Sequence, residues 1–299
     1  MASRFARLCV TLALVLATLG GAFAAPTQKD NKMSYHGGPL MYATPGVYFV
    51  WYGCWGLSGC GSSLAAYNDA ATMNILADFI QDVGGSPYFQ INAGYPGAYG
   101  RTPTGALIFG GGVADRYSRG PVLTEADVAG IVTDLIESNG LPQDPSGIYV
   151  VLASSDVTLV DGATQFCLTC CNFHGVGEAL GSQFSVAFVG NPSRCPGACA
   201  AQFEGAASPN ANYAADAMAA WLAHSLNAIV TNPTGGGWFD RYGLENSEKC
   251  EGTFGPTQTV TNPDGLPAES NMRLGGRDYL MQQNWVNSKK GHCALNISQ

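Results

Sequence analysis

Two periods of apolar spacing alternate along the first three-quarters of the chain, and each switch between them predicts a change from strand to helix. Gly46 to Tyr52 (GVYFVWY) is a dense β-branched and aromatic run with the length of a buried strand. Gly147 to Ala153 (GIYVVLA) and Phe184 to Gly190 (FSVAFVG) repeat that pattern. Leu64, Asn68, Ala71, Ile75, Phe79 and Val83 recur at helical spacing, and Gly84-Gly85 stop them. Thr124 with Asp127 three residues on reads as a capping box. Val128, Ile131, Val132, Leu135 and Ile136 then form an apolar stripe that ends at Asn139-Gly140. A third helix is predicted from about Asn212 to Thr231, terminated by Asn232-Pro233. Ala93 to Thr104 reads as a loop, and the chain after position 233 as loop-rich. The alternation predicts an α/β fold: one layered domain over residues 35–299, a mixed sheet flanked by helices, with loops stapled by disulfides.

The N-terminus follows another logic. Arg4 and Arg7 precede an apolar run from Leu8 to Leu19, and small residues lead to Ala22-Phe23-Ala24. This is the layout of a cleaved signal peptide over residues 1–24, with cleavage expected after Ala24 and a frayed segment over 25–34. The run is too short to span a bilayer, and no later segment reaches the ~18 apolar residues that a spanning helix needs. A soluble, secreted protein without membrane insertion is therefore expected.

Charge narrows the partners. Without Arg4 and Arg7, twelve basic residues face 22 acidic ones, and no Lys/Arg cluster exists. That balance argues against nucleic acid and against anionic membranes. Ten cysteines are present, and Cys9 leaves with the signal peptide. In an oxidising compartment the rest read as a framework: Cys54–Cys60, Cys167–Cys171, Cys195–Cys199 and Cys250–Cys293. Cys170 is left over, either as a buried thiol or as a bridge to another chain. A zinc cluster at Cys167, Cys170 and Cys171 is the competing reading, ranked lower because the spacing is not a paired C-x-x-C.

Candidate chemistry centres on the third helix. Positions 217, 221, 224 and 228 share one face. A zinc hydrolase helix would place ligands at 224 and 228 and a general-base glutamate at 225. Here His224 is present, but Ser225 and Ala228 are not groups that ligate or act as that base. No G-x-S-x-G occurs, and Gly110-Gly111-Gly112 lacks the Lys-Ser/Thr of a phosphate loop. The acids Asp240, Glu245, Glu248 and Glu251 offer paired carboxylates for glycoside hydrolysis, with nothing in the sequence to fix their separation.

Several segments together resemble the Exordium/phosphate-induced protein family of secreted proteins. They are Tyr35-His36-Gly37-Gly38-Pro39-Leu40, Val50-Trp51-Tyr52-Gly53, Val151-Leu152-Ala153-Ser154-Ser155-Asp156-Val157, and Phe166-Cys167 with Cys171 and His174. Phe188-Val189-Gly190-Asn191, Cys195-Pro196-Gly197-Ala198-Cys199, Thr231-Asn232-Pro233, Gly275-Gly276-Arg277-Asp278-Tyr279-Leu280 and Cys293 complete the set. The resemblance implies an extracellular protein, in plants a cell-wall one linked to growth and cell expansion. It also implies a zincin-like helix, H-E-L-x-E in many relatives, onto which His224 aligns while Ser225 and Ala228 replace the two glutamates. His174 and Asp240 would complete a residual metal site with His224. Cys167 and Cys171 match family positions and Cys170 does not.

The lead expectation is a non-catalytic extracellular protein at the cell wall or cell surface, a pseudoenzyme candidate without cofactor, whose partners would be wall polysaccharide or another extracellular protein. Its rivals are a metal-dependent secreted hydrolase using zinc, and a carbohydrate-binding module built on the aromatics of Ala93 to Tyr99 and Trp238-Phe239. The one N-x-S/T sequon, Asn296-Ile297-Ser298, is a glycosylation candidate.

Overall fold

The computed structural model describes residues 32–56 and 69–298. Residues 1–31, with the expected signal peptide, and residues 57–68, with Cys60 and with Leu64 and Asn68 of the first expected helix, lie outside them. Strand β1 (Gly46–Tyr52) is flanked on one side by β2 (Ile108–Asp115) and on the other by β3 (Ile148–Ala153). Beyond β3 come β5 (Ser182–Val189) and, at the edge, β4 (Asn172–Ala179), giving the order β2-β1-β3-β5-β4. The first four are parallel, with Val50 facing Val113 and Val151, and β4 returns antiparallel along β5. The sheet is thus mixed. Parallel strands covered on both faces need apolar side chains on both, which is why β1 and β3 read as unbroken apolar runs.

Helices supply that cover. α1 (Asp69–Val83) and α3 (Tyr213–Thr231) pack on the face carrying Val47, Phe49, Ile148 and Val150. α2 (Glu125–Glu137) packs on the face carrying Val50, Tyr52, Tyr149 and Val151. Its capping box is formed, with Thr124 Oγ1 accepting from the Asp127 amide and the Asp127 carboxylate accepting from the Thr124 amide. Every residue of α3 from Ala214 to Thr231 is buried. An alanine-rich helix with apolar residues all round is the sequence form of such a central helix.

Two sheet strands escaped the sequence pattern. β2 contains Gly110-Gly111-Gly112, which looks like a loop. A Cβ on Gly110 would sit 2.2 Å from the Tyr48 ring, so the glycine lets an aromatic of β1 lie across its neighbour. β4 has the same device, since a Cβ on Gly177 would meet the Phe184 ring at 2.2 Å. The expected loop after position 93 begins inside a buried 3-10 turn, Phe89–Gly94. The expected loop-rich C-terminus folds into three short hairpins, at 258–270, 272–279 and 284–294. Met33 and Ser34, expected to fray, are held: Met33 is buried and Ser34 pairs with Phe239.

The central disulfides also differ from expectation. Cys167 bonds Cys195 and Cys171 bonds Cys199, each over 28 residues, replacing the local pairs Cys167–Cys171 and Cys195–Cys199. The segment before β4 and the turn after β5 lie side by side because β4 and β5 are a hairpin whose open end joins them. Each cysteine therefore faces its counterpart across the gap, at Cα separations of 5.7 and 5.5 Å. Cys250 bonds Cys293. Cys54 is disulfide-bonded, while the expected Cys54–Cys60 bridge falls partly outside the described residues. None of the three described bridges uses Cys170.

Candidate functional site

Side chains on one face of a strand recur every second residue, so edge strand β4 presents Asn172 and His174 together. Opposite them α3 brings His224 and Ser225, and the loop after it brings Asn232, Glu245 and Glu248. Asn172 Nδ2 donates to Ser225 Oγ at 2.7 Å. His174 Nε2 and Glu245 Oε2 form an ion pair at 2.7 Å, and the other Glu245 oxygen accepts from Asn232 Nδ2. The Glu245 amide donates to Glu248 Oε2 at 2.7 Å.

Burial and charge pull these groups apart in acidity. Burial alone would lower His174, but the Glu245 carboxylate outweighs it and holds the imidazolium above the usual histidine range. Burial alone would raise Glu245, but the imidazolium of His174 and the Asn232 amide keep it below the usual range. Burial, then the charge of Glu245, pushes Glu248 up to about 8. Burial, then the charge of His174, brings His224 down to about 4. The two glutamates are thus pushed apart in opposite directions, and so are the two histidines. His224 is 7 % exposed, and its Nδ1 is a buried polar atom without a hydrogen-bond partner among the described residues.

Of the three residues expected to share a metal, His174 and His224 lie close enough for one charge to act on the other. Asp240 does not join them. Its carboxylate meets Lys249 Nζ at 3.0 Å with both side chains fully buried, and its other oxygen accepts from the Tyr242 and Leu244 amides. Among the described residues no three His, Cys, Asp or Glu side chains are spaced to hold a metal ion. The donor chemistry agrees, since His174 and both Glu245 oxygens already serve one another and Asn232. The residues present do not fit a zinc site. Glu245, expected only as one of four clustered acids, is the group that organises the cluster, and no spacing in the sequence links it to position 174.

Other candidate places resolve differently. In a doubly wound sheet ligands sit where neighbouring crossovers part, here at the carboxyl ends of β1 and β3. Ser154 Oγ accepts from the Cys54 amide and donates to Asp156, and Asp156 also accepts from the Tyr117 hydroxyl. Among the described residues these side chains are thus engaged with one another at that position. Of the aromatics expected to form a sugar platform, Trp238 is 9 % exposed with its indole N–H on the Pro96 carbonyl and Tyr95 is buried, whereas Phe239 is half-buried and Tyr99 is fully exposed. Asn296 is half-buried, its Oδ1 accepting from the Ser298 amide.

Comparison with known proteins places these features in a lineage. The profile of the phosphate-induced protein 1 conserved region matches residues 33–295. The chain is 28 % identical to Protein EXORDIUM-like 3 of Arabidopsis thaliana over 288 residues, covering 85 % of this chain and 80 % of that protein. It is 29 % identical to Protein EXORDIUM-like 1 of the same plant over 77 % of this chain and 76 % of the relative. Protein PHOSPHATE-INDUCED 1 of Nicotiana tabacum is 26 % identical over 76 % of this chain and 74 % of its own. No solved structure matches the chain.

Proposed function

The chain belongs to the phosphate-induced protein 1 family, and from that premise we propose that it is an extracellular protein, acting at a cell wall or cell surface in growth-related processes, whose histidine cluster is structural rather than catalytic. The observation that carries this reading is the closure of the cluster. Ser225, where a general base would stand, has its hydroxyl bonded to Asn172, and Ala228, where a second acid would stand, is buried in the core. His174, Glu245 and Asn232 then clasp the C-terminal loop to the sheet edge. Three described disulfides favour an oxidising compartment. No helix among the described residues is long and apolar enough to cross a membrane.

The test is expression of the full chain in a eukaryotic secretory host. The protein should leave the cell, start after Ala24, carry no stoichiometric metal and melt at the same temperature with and without chelator. Retention in the cell would refute the extracellular role. Hydrolysis of peptide, ester or glycoside substrates that disappears in His224→Ala would refute the structural one. One observation favours a second reading, a metal-dependent hydrolase of unusual site: the unpartnered Nδ1 of His224. Zinc bound at one equivalent and lost in His224→Gln would establish it.

A further inference from the structure

We propose that a cavity at the start of α3 is a binding site for a neutral saccharide. The cavity has a volume of about 430 Å³, within the range of small-molecule sites, and opens between α1, the turn leading into α3, and two of the C-terminal hairpins. Its polar lining is Asn74, Asn210, Asn212, Tyr213, Asp264 and Arg277, and the rest is alanine, isoleucine and proline. Amide, guanidinium and carboxylate groups that meet vicinal hydroxyls, beside a tyrosine and small apolar surfaces that meet C–H faces, are the chemistry of sugar recognition.

The rim is pre-organised. Asn212 Oδ1 caps α3 by accepting from the Ala215 amide, and its Nδ2 donates to Thr72 Oγ1 of α1. Asn210 is fixed to the buried Asp216 carboxylate and to the Asp278 carbonyl. Between them Ala211 holds φ at +54°, a left-handed conformation that costs alanine energy and persists only where its surroundings enforce it.

Charge selects among ligands. The Arg277 guanidinium is matched by Asp78 at 2.8 Å, and Arg273 by Asp278 at 2.7 Å. Asp82 and Asp264 have no cationic partner within 4 Å among the described residues. A carboxylate or phosphate ligand would meet one guanidinium already matched by Asp78 and the lining carboxylate of Asp264, so an anion is disfavoured. A bare cation is far smaller than the cavity. A neutral polyhydroxyl ring uses what remains: donors of Arg277 that no described acceptor takes, the Asp264 carboxylate and the Asn74 amide.

This inference does not depend on where the protein acts or on the histidine cluster. The test is saturation-transfer NMR and calorimetry on the full secreted chain, with cellobiose, xylobiose and galactobiose as neutral probes and digalacturonate and glycylglycine as charged ones. At least one neutral probe should bind. Asn74→Ala and Asp264→Ala, both at exposed positions that leave the fold intact, should each weaken it about tenfold. Three results would overturn the proposal: no neutral probe binding at roughly 10 mM, affinity unchanged in both variants, or a charged probe binding better than every neutral one.

Discussion

The crossed cysteine pairs make a prediction that thiol chemistry and stability can both read. Cys167→Ala with Cys195→Ala removes one bridge if the pairing is crossed, and breaks two if it is local. A loop of 28 residues closed on its own restricts the unfolded chain by about 3.6 kcal/mol at 25 °C in the chain-entropy description. The second crossed bridge closes only the small ring between 167–171 and 195–199, of about eight residues, and adds about 2.5 kcal/mol. Either bridge lost alone should therefore cost about 2.5 kcal/mol and both together about 6, a coupling of about 1 kcal/mol. Local pairs would close loops of four residues, cost about 2 kcal/mol each and add without coupling. The assay is urea unfolding of the wild type, each paired-alanine variant and the quadruple variant, with alkylation of the native proteins followed by mass spectrometry. Cys171 and Cys199 should stay unreactive in the Cys167→Ala/Cys195→Ala protein. Their alkylation there, with a loss in that variant as large as in the quadruple one, would refute the crossed arrangement.

Three further outcomes follow from the buried charges and caps. Glu248 has a folded pKa raised to about 8, so the folded state keeps a proton that the unfolded chain releases above the ordinary carboxylate range; this contribution to stability falls as pH rises from about 4.5 to 8, and Glu248→Gln should flatten that part of the melting-temperature profile. Equal slopes in the two proteins would discount the shift. Lys249→Met leaves the Asp240 carboxylate buried without its cation and should lower unfolding free energy by about 3–5 kcal/mol, with Asp240→Asn in the same chain restoring part of it, both measured by denaturant titration. Asn212→Ala removes the α3 cap and should cost about 1 kcal/mol; an unchanged midpoint would show that the cap is replaced by solvent.

The layers were legible in the sequence wherever apolar periodicity was strong. β1, β3, β5 and α2 fall where the pattern put them, because central strands and an amphipathic helix carry their burial in their side chains. β2 and β4 were not legible, since their glycines are dictated by rings on neighbouring strands, a contact that exists only once the sheet is assembled. The same reason hid the disulfide pairing. Separation along the chain favours near cysteines, while the β4–β5 hairpin brings together two segments that sequence keeps apart.

The candidate site shows why a motif need not mark chemistry. Asn232, in the Thr231-Asn232-Pro233 segment, accepts from the Gly237 amide and donates to Glu245, so it turns the chain out of α3 and seats the acid that holds His174. Asn191, in another shared segment, accepts from the amide and hydroxyl of Ser193 and starts the turn towards Cys195. Arg277 anchors its hairpin to α1 through Asp78. In each case a polar side chain satisfies groups exposed where the backbone changes direction, a demand set by the fold. His224 is the exception, a buried imidazole with one nitrogen that no described neighbour satisfies. A buried polar atom left without a partner costs stability, and zinc titration decides whether this nitrogen takes a ligand.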